Sequence, residues 1–165
     1  MSASPPLPRI SEALARTLRR AGRRVALAES CTGGLAGAAL ARRAGASDYF
    51  MGSAVCYDTA AKTRVLGVSA ALLKKEGPVS AACARAMAKG ALKIFRADVA
   101  VSVTGFAGPD GDRVGEVWVG WALRGGECGA QVFYFQGTRD IVRAKAARAV
   151  LRRLSILLPK PGRGC

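Results

Sequence analysis

Val25-Ala26-Leu27-Ala28-Glu29-Ser30-Cys31-Thr32-Gly33-Gly34 changes character midway. Its first four residues are an unbroken apolar run, read as a short buried strand. A glycine pair follows, and the small-residue segment from Thr32 to Arg43 reads as a loop that opens into a tightly packed helix. Strand, glycine turn and helix in that order open a parallel crossover, since parallel strands cannot be joined by a hairpin.

The flanking sequence extends this α/β reading. Upstream, Ile10, Leu14, Leu18 and Ala21 recur at helical spacing and predict an amphipathic helix over 10–21, stopped at Gly22. Downstream, 50–57 reads as a second strand and 58–66 as a helix with Asp58 or Thr59 at its N-cap. A turn at Pro78 precedes a helix over 80–95. Val99 to Val103 is a strongly apolar strand, and 105–115 is a glycine-rich loop. Strands are expected at 116–123 and 131–135, flanking the turn residues Arg124-Gly125-Gly126. Thr138 is a candidate N-cap for a closing helix to about Leu157. Early strands separated by helices and a late hairpin give a mixed sheet with helices on both faces. One domain is expected, with a core at about 10–157 and loose tails at 1–9 and 158–165.

Composition narrows the chemistry. The 165 residues suit one domain with a substantial core. No stretch approaches the roughly 18 apolar residues of a membrane span. Met1 to Pro8 lacks the charged lead and apolar run of a secretory signal, so a soluble cytoplasmic protein is expected. Five cysteines at 31, 56, 83, 128 and 165 are odd in number and widely spaced, which suits reduced thiols rather than a disulfide framework or zinc ribbon. The chain has no histidine. Ser-His-Asp and Cys-His catalysis are therefore excluded within it, and a general base must be Lys, Tyr, Asp, Glu, Cys or water. No cofactor and no catalytic metal are expected; Asp110 and Asp112 are the only acidic pair placed to attract a hard cation. The net charge of +15 fits a solubilising surface, attraction of small anions, or nucleic-acid binding.

Four segments carry candidate chemistry. Glu29-Ser30-Cys31-Thr32-Gly33-Gly34 lies where ligand sites collect in open α/β sheets, beyond a strand's carboxyl end. Its amides suit a phosphate or an oxyanion; a tight turn capped by Ser30 is the competing account. Tyr57 and Lys62, five residues apart, stand apart on one helix and converge only if Tyr57 ends a strand while Lys62 occupies the next helix's first turns. An ordinary aromatic and an exposed lysine are the plainer account. Val103-Thr104-Gly105-Phe106-Ala107-Gly108-Pro109-Asp110-Gly111 suits a ligand loop or a structural one. Arg139 and Arg143 share a face at a helix start, where cations oppose the dipole, so an anion nearby or plain solvent must accommodate them.

Taken together, these segments resemble the CinA C-terminal family, also known as nicotinamide-nucleotide amidase. The resemblance runs from about Ile10 to Leu157. It includes Leu66-Gly67-Val68, Gly77-Pro78-Val79-Ser80, Ala107-Gly108-Pro109 and Gly115-Glu116-Val117-Trp118 in the family's order. It implies a three-layer α/β/α sandwich with a mixed, mostly parallel sheet. It also implies hydrolysis of nicotinamide mononucleotide to nicotinic acid mononucleotide and ammonia. Carried over by position, Ser30 is the nucleophile, Lys62 its base and Tyr57 an assistant. Thr32, Gly33, Gly34, Thr104, Gly105, Ala107, Gly108 and Arg139 are the candidate substrate-binding residues. The chain departs from the family pattern at Thr59, where relatives commonly have Asn, at Asp58, and in a shorter loop after Pro109. The resemblance implies a stand-alone form of a domain that also ends longer proteins. A silent nucleotide-binding member is the first alternative. A basic nucleic-acid-binding module is the second, disfavoured because no aromatic-rich RNA-binding strand or zinc-finger motif accompanies the charge. Homo-oligomerisation is expected only on the general prevalence of symmetric assemblies.

Overall fold

The apolar run becomes a strand, Val25–Glu29, buried at every residue. The structure, a computed structural model, describes residues 7–158. Along the chain run α1 (Leu7–Ala21), β1 (Val25–Glu29), α2 (Leu35–Ala41), a 3₁₀ turn (Ala46–Asp48), β2 (Phe50–Val55), α3 (Thr59–Leu66), α4 (Ala70–Glu76), α5 (Ala81–Ile94), β3 (Val99–Gly105), β4 (Glu116–Leu123), β5 (Cys128–Tyr134) and α6 (Arg139–Leu157). The strands form one sheet in the order β2-β1-β3-β4-β5. Strand β1 pairs parallel with β2 and β3, whereas β4 is antiparallel to both its neighbours. All strands but β4 therefore share one direction, so the sheet is mixed and mostly parallel.

Alternation along the strands divides the interior in two. Val25 and Leu27 of β1 and Val99, Val101 and Val103 of β3 pack in one cluster with Leu14, Leu40, Val150 and Leu154 from α1, α2 and α6. Ala26, Ala28 and Ala100 face the opposite side, where Met87, Ala91 and Leu66 from α5 and α3 meet them. The result is a three-layer α/β/α sandwich. The α5 side of the sheet is lined by very small residues, and this lets the helix lie directly on it. Ser102 Oγ donates to Ala84 O at 2.6 Å. A Cβ on Gly120 would overlap the Ala84 backbone and stand 2.7 Å from Ser102 Oγ.

Several boundaries differ from the sequence reading. Helix α1 begins at Leu7, so residues 7–9 are helical rather than tail. Leu158 is 3% exposed and its N–H bonds Leu154 O, so it belongs to the packed core. The remaining tail residues, 1–6 and 159–165, lie outside the described residues. Helix α4 was not expected. It is one short stretch capped by Ser69 with no fully buried residue, and so carries little hydrophobic periodicity. Strand β5 starts at Cys128, paired with Ala122, although Gly129 and Ala130 have weak strand preference; pairing with β4 overrides propensity.

Candidate active site

The parallel strands β1, β2 and β3 end on the same edge of the sheet, so the loops after Glu29, Val55 and Gly105 emerge together there. This edge carries the sequence-derived candidates. The Ser30 N–H donates to Val103 O at 3.0 Å, which continues the β1–β3 ladder by one residue and fixes where the Ser30 side chain leaves the strand. The chain then turns, with Gly33 N–H donating to Ser30 O at 3.0 Å. Gly34 stands at the N-cap of α2 with φ of 97°, a left-handed conformation that favours glycine.

The turn is organised around Glu29, which is fully buried. One carboxyl oxygen accepts from Thr32 Oγ1 at 2.8 Å and from the N–H groups of Gly34 and Ala36 at 3.1 Å each. The other accepts from Gly37 N–H and Ser53 Oγ, both at 2.8 Å. An acidic group thus satisfies the free amides at the start of α2 and suits the helix dipole. Thr32, Gly33 and Gly34, the candidate substrate or oxyanion donors of the sequence, are thus drawn into this network. The Thr32 hydroxyl and the Gly33 and Gly34 N–H groups are turned inward to Glu29 and Ser30, and none of the three residues lines the pocket that Ser30 and Lys62 share. The Cys31 and Thr32 N–H groups have no backbone acceptor among the described residues. Sequence reasoning missed Glu29 as an organiser, although a carboxylic acid just before a Ser-x-Thr-Gly-Gly turn is a legible capping signal.

Lys62 lies in the first turns of α3, whose N-cap Asp58 accepts from Ala60 N–H at 3.0 Å. Lys62 is 2% exposed; the plainer account of an exposed lysine does not hold. Its Nζ lies 2.9 Å from Ser30 Oγ and donates to Cys56 O at 3.3 Å. Burial pushes Lys62 below the ordinary lysine value, against the opposing influence of the Cys83, Cys56 and Cys31 thiols around it. Those thiols are free. Burial raises Cys31 to about 11 and also lifts Cys56 and Cys83. Of the adjacent Ser30 and Cys31 side chains, it is the serine hydroxyl that Lys62 Nζ contacts.

Ser30, Lys62, Tyr57, Thr104, Gly105, Ala107, Gly108 and Arg139 all line one pocket of about 260 Å³. Tyr57 follows β2 and is 57% exposed; its hydroxyl accepts from Arg139, whose guanidinium also donates to Gly108 O. Arg139 therefore joins three separate segments across the pocket mouth. Thr104 Oγ1 donates to Pro78 O at 2.8 Å, so its hydroxyl offers the pocket only lone pairs. Arg143 reaches inward: Nε donates to Cys31 O at 3.2 Å and an Nη to Thr32 O at 3.1 Å. The carbonyls of the turn after Ser30, together with the Asp140 carboxylate 3.3 Å from its other Nη, accommodate this cation at the helix start. Cys31, Thr59, Pro78, Val79, Phe106 and Asp110 also line the pocket; all lie in stretches quoted from the sequence, but none was given a role in binding substrate. Phe106 is braced from outside: Arg113 lies over its ring at 4.9 Å and donates to Glu116 at 2.8 Å. Trp118 Nε1 donates to Glu116 at 2.9 Å.

Among the described residues no group of three or more Cys, Asp or Glu is arranged to hold a metal, and no helix is long and apolar enough to cross a membrane. Comparison with known proteins places this geometry in context. The family described as CinA C-terminal domain matches residues 8–158. The chain is 46% identical over 146 residues to a CinA-like protein of Geobacter sulfurreducens, covering 86% of this chain and 35% of that protein. A CinA-like protein of Mycolicibacterium vanbaalenii is 44% identical over 138 residues, covering 81% and 33%. The chain thus spans about a third of the length of these relatives. Among solved structures, the competence damage-inducible protein A of Klebsiella pneumoniae is 36% identical with a TM-score of 0.89, over 93% of this chain and 97% of that one. The competence/damage inducible protein CihA of Agrobacterium tumefaciens is 36% identical with a TM-score of 0.88, over 95% and 99%. With nearly its whole described length matched in sequence and in backbone, the chain belongs to the CinA C-terminal domain family.

Proposed function

We propose that this chain is an amidohydrolase that converts nicotinamide mononucleotide to nicotinic acid mononucleotide and ammonia through an acyl-enzyme on Ser30. The observation that carries the reading is a buried lysine amine, with its proton affinity lowered, 2.9 Å from a serine hydroxyl. A neutral Lys62 gives one N–H to Cys56 O and turns its lone pair to the Ser30 hydroxyl. Ser30 Oγ attacks the carboxamide carbon as its proton passes to Lys62. The Cys31 N–H, the first amide after the nucleophile, is the donor nearest in sequence for the oxyanion. The C–N bond then breaks, Lys62 returns the proton to the departing nitrogen, and ammonia leaves. Water attacks the ester carbonyl with Lys62 as base, the acid is released, and the proton returns to Ser30 Oγ.

The far end of the substrate is matched by Arg139 and the amides at the start of α6. A phosphomonoester there would take the N–H groups now directed at Gly108 O and Tyr57. The overall charge of +15 favours capture of an anion. The test is ammonia release from nicotinamide mononucleotide by wild type and Ser30→Ala. Wild type is expected to turn over, and Ser30→Ala to lose activity by orders of magnitude while still binding the nucleotide. Wild type that binds but releases no ammonia would make the pocket a nucleotide-binding site only.

A further inference from the structure

A second concavity, of about 590 Å³, lies between β5 and α6 and shares no lining residue with the catalytic pocket. Phe133 in β5 and Phe135, just past its end, pack against the same core cluster, so their rings stand on one side of the sheet. They are stacked, with centroids 5.6 Å apart and planes at 12°, and both are only partly buried. Facing them, α6 presents Lys145, Arg148 and Arg152 at helical spacing. Arg153 lies over the Trp121 ring at 4.1 Å and donates to Gln131, which holds the wall in place. No acidic residue lines the groove. Arg148 and Arg152 make no ion pair among the described residues, and the buried Arg148 Nε has no hydrogen-bond partner there.

We propose that this groove binds a single strand of nucleic acid, with bases against the Phe133–Phe135 pair and phosphates on the α6 cations. Flat aromatic faces beside a cationic stripe match the two repeating chemistries of an unpaired strand. Guanidinium groups fit phosphate oxygens in pairs. From Lys145 to Arg152 the helix advances about 10 Å, enough for more than one phosphate of the same strand. A second copy of the chain fits less well, because a two-fold contact would set this cationic stripe against itself in a molecule of charge +15. An acidic protein segment would answer the charge but leave the stacked rings unmatched. In the linear sequence these residues sit apart, two aromatics in a hairpin and three cations in a helix; folding alone brings them to one groove. The inference is independent of the amidase reading.

The test is fluorescence anisotropy of a labelled 12-residue oligodeoxythymidylate titrated with the full chain. Binding is expected to weaken by about 10–20-fold between 50 and 200 mM salt, the dependence for roughly three released counterions on a single strand. Arg148→Glu with Arg152→Glu should lower affinity at least tenfold. Phe133→Leu with Phe135→Leu keeps the apolar volume and should lower affinity by about tenfold without changing the salt slope. Thermal unfolding of each variant checks that the fold survives. Equal displacement of the oligonucleotide by polyglutamate would reduce the groove to a charge patch and overturn the proposal. So would saturation by thymidine monophosphate as tight as by the strand. A dimer in sedimentation that the arginine variants dissociate, with no oligonucleotide bound by wild type, would make the face a self-interface and overturn it too.

Discussion

Arg139 shows how much one side chain can be asked to do. It tethers Tyr57 and Gly108, two residues that line the pocket from different loops, and it stands where the phosphate of the proposed substrate would arrive. Arg139→Ala should weaken use of nicotinamide mononucleotide by about 1.5–3 kcal/mol, the scale of a charged hydrogen bond. The loss should be much smaller for the unphosphorylated riboside. Arg139→Lys should recover only part, because an ammonium lacks the planar fork. Comparing kcat/KM for the two substrates separates phosphate binding from loop tethering; equal losses on both would assign Arg139 to the tether. At this scale the sequence was informative about identity and silent about burial. The five-residue separation of Tyr57 and Lys62 already required two elements, and the chain supplies them: Tyr57 follows β2 and Lys62 lies in the first turns of α3. Nothing in a run reading Asp-Thr-Ala-Ala-Lys says that the lysine is enclosed. Its neighbours include Ser30, Cys31 and Cys83, which the sequence places far from Lys62.

The elements that matter most are β1 and α2, joined by the Glu29 carboxyl. Parallel strands place Ser30 at the sheet edge, but Glu29 decides the shape of the turn beyond it, since its oxygens accept from Gly34, Ala36, Gly37, Thr32 and Ser53. Glu29→Gln replaces an acceptor oxygen with a donor that faces other donors. Each stranded buried N–H or hydroxyl costs about 1–3 kcal/mol, so chemical denaturation should show a loss of at least about 2 kcal/mol. Ammonia release should fall as the Ser30 turn loosens. An unchanged midpoint would mean that the turn is held by Arg143 instead. The strand-and-helix order was readable because buried strands are short apolar runs and their helices carry caps: Asp58 and Ser80 each cap the helix they precede. Helix α4 and the first residues of β5 were not readable. One is too short to show a face, and the other depends on partners in β4 that local preference does not contain.

At the scale of the molecule, the buried Lys62 beside Ser30, the proposed catalytic pair, is a local cost to stability that the rest of the fold carries. Lys62 is held below the ordinary lysine value of 10.5 by burial. Between its folded value and 10.5 the unfolded chain binds a proton that the folded chain does not, so stability contributed at this position rises with pH across that window. Below the window both states are protonated and the full penalty of a buried ammonium applies. Lys62→Met should therefore raise Tm near neutral pH by about 2–4 °C, the shift given by roughly 1 kcal/mol in a domain of this size, while abolishing ammonia release. The gain should shrink as pH approaches 10.5. A lower Tm would mean that the contacts to Ser30 and Cys56 outweigh the burial. The order of the parts along the chain has a last consequence, for synthesis. Ser30 and Lys62 emerge from the ribosome early, whereas the two arginines that grip Cys31, Thr32, Tyr57 and Gly108 wait on α6. A nascent chain extended only through β4 lacks both clamps and the α6 side of the core, so on the proposed reading catalytic competence would wait for α6 to emerge and dock.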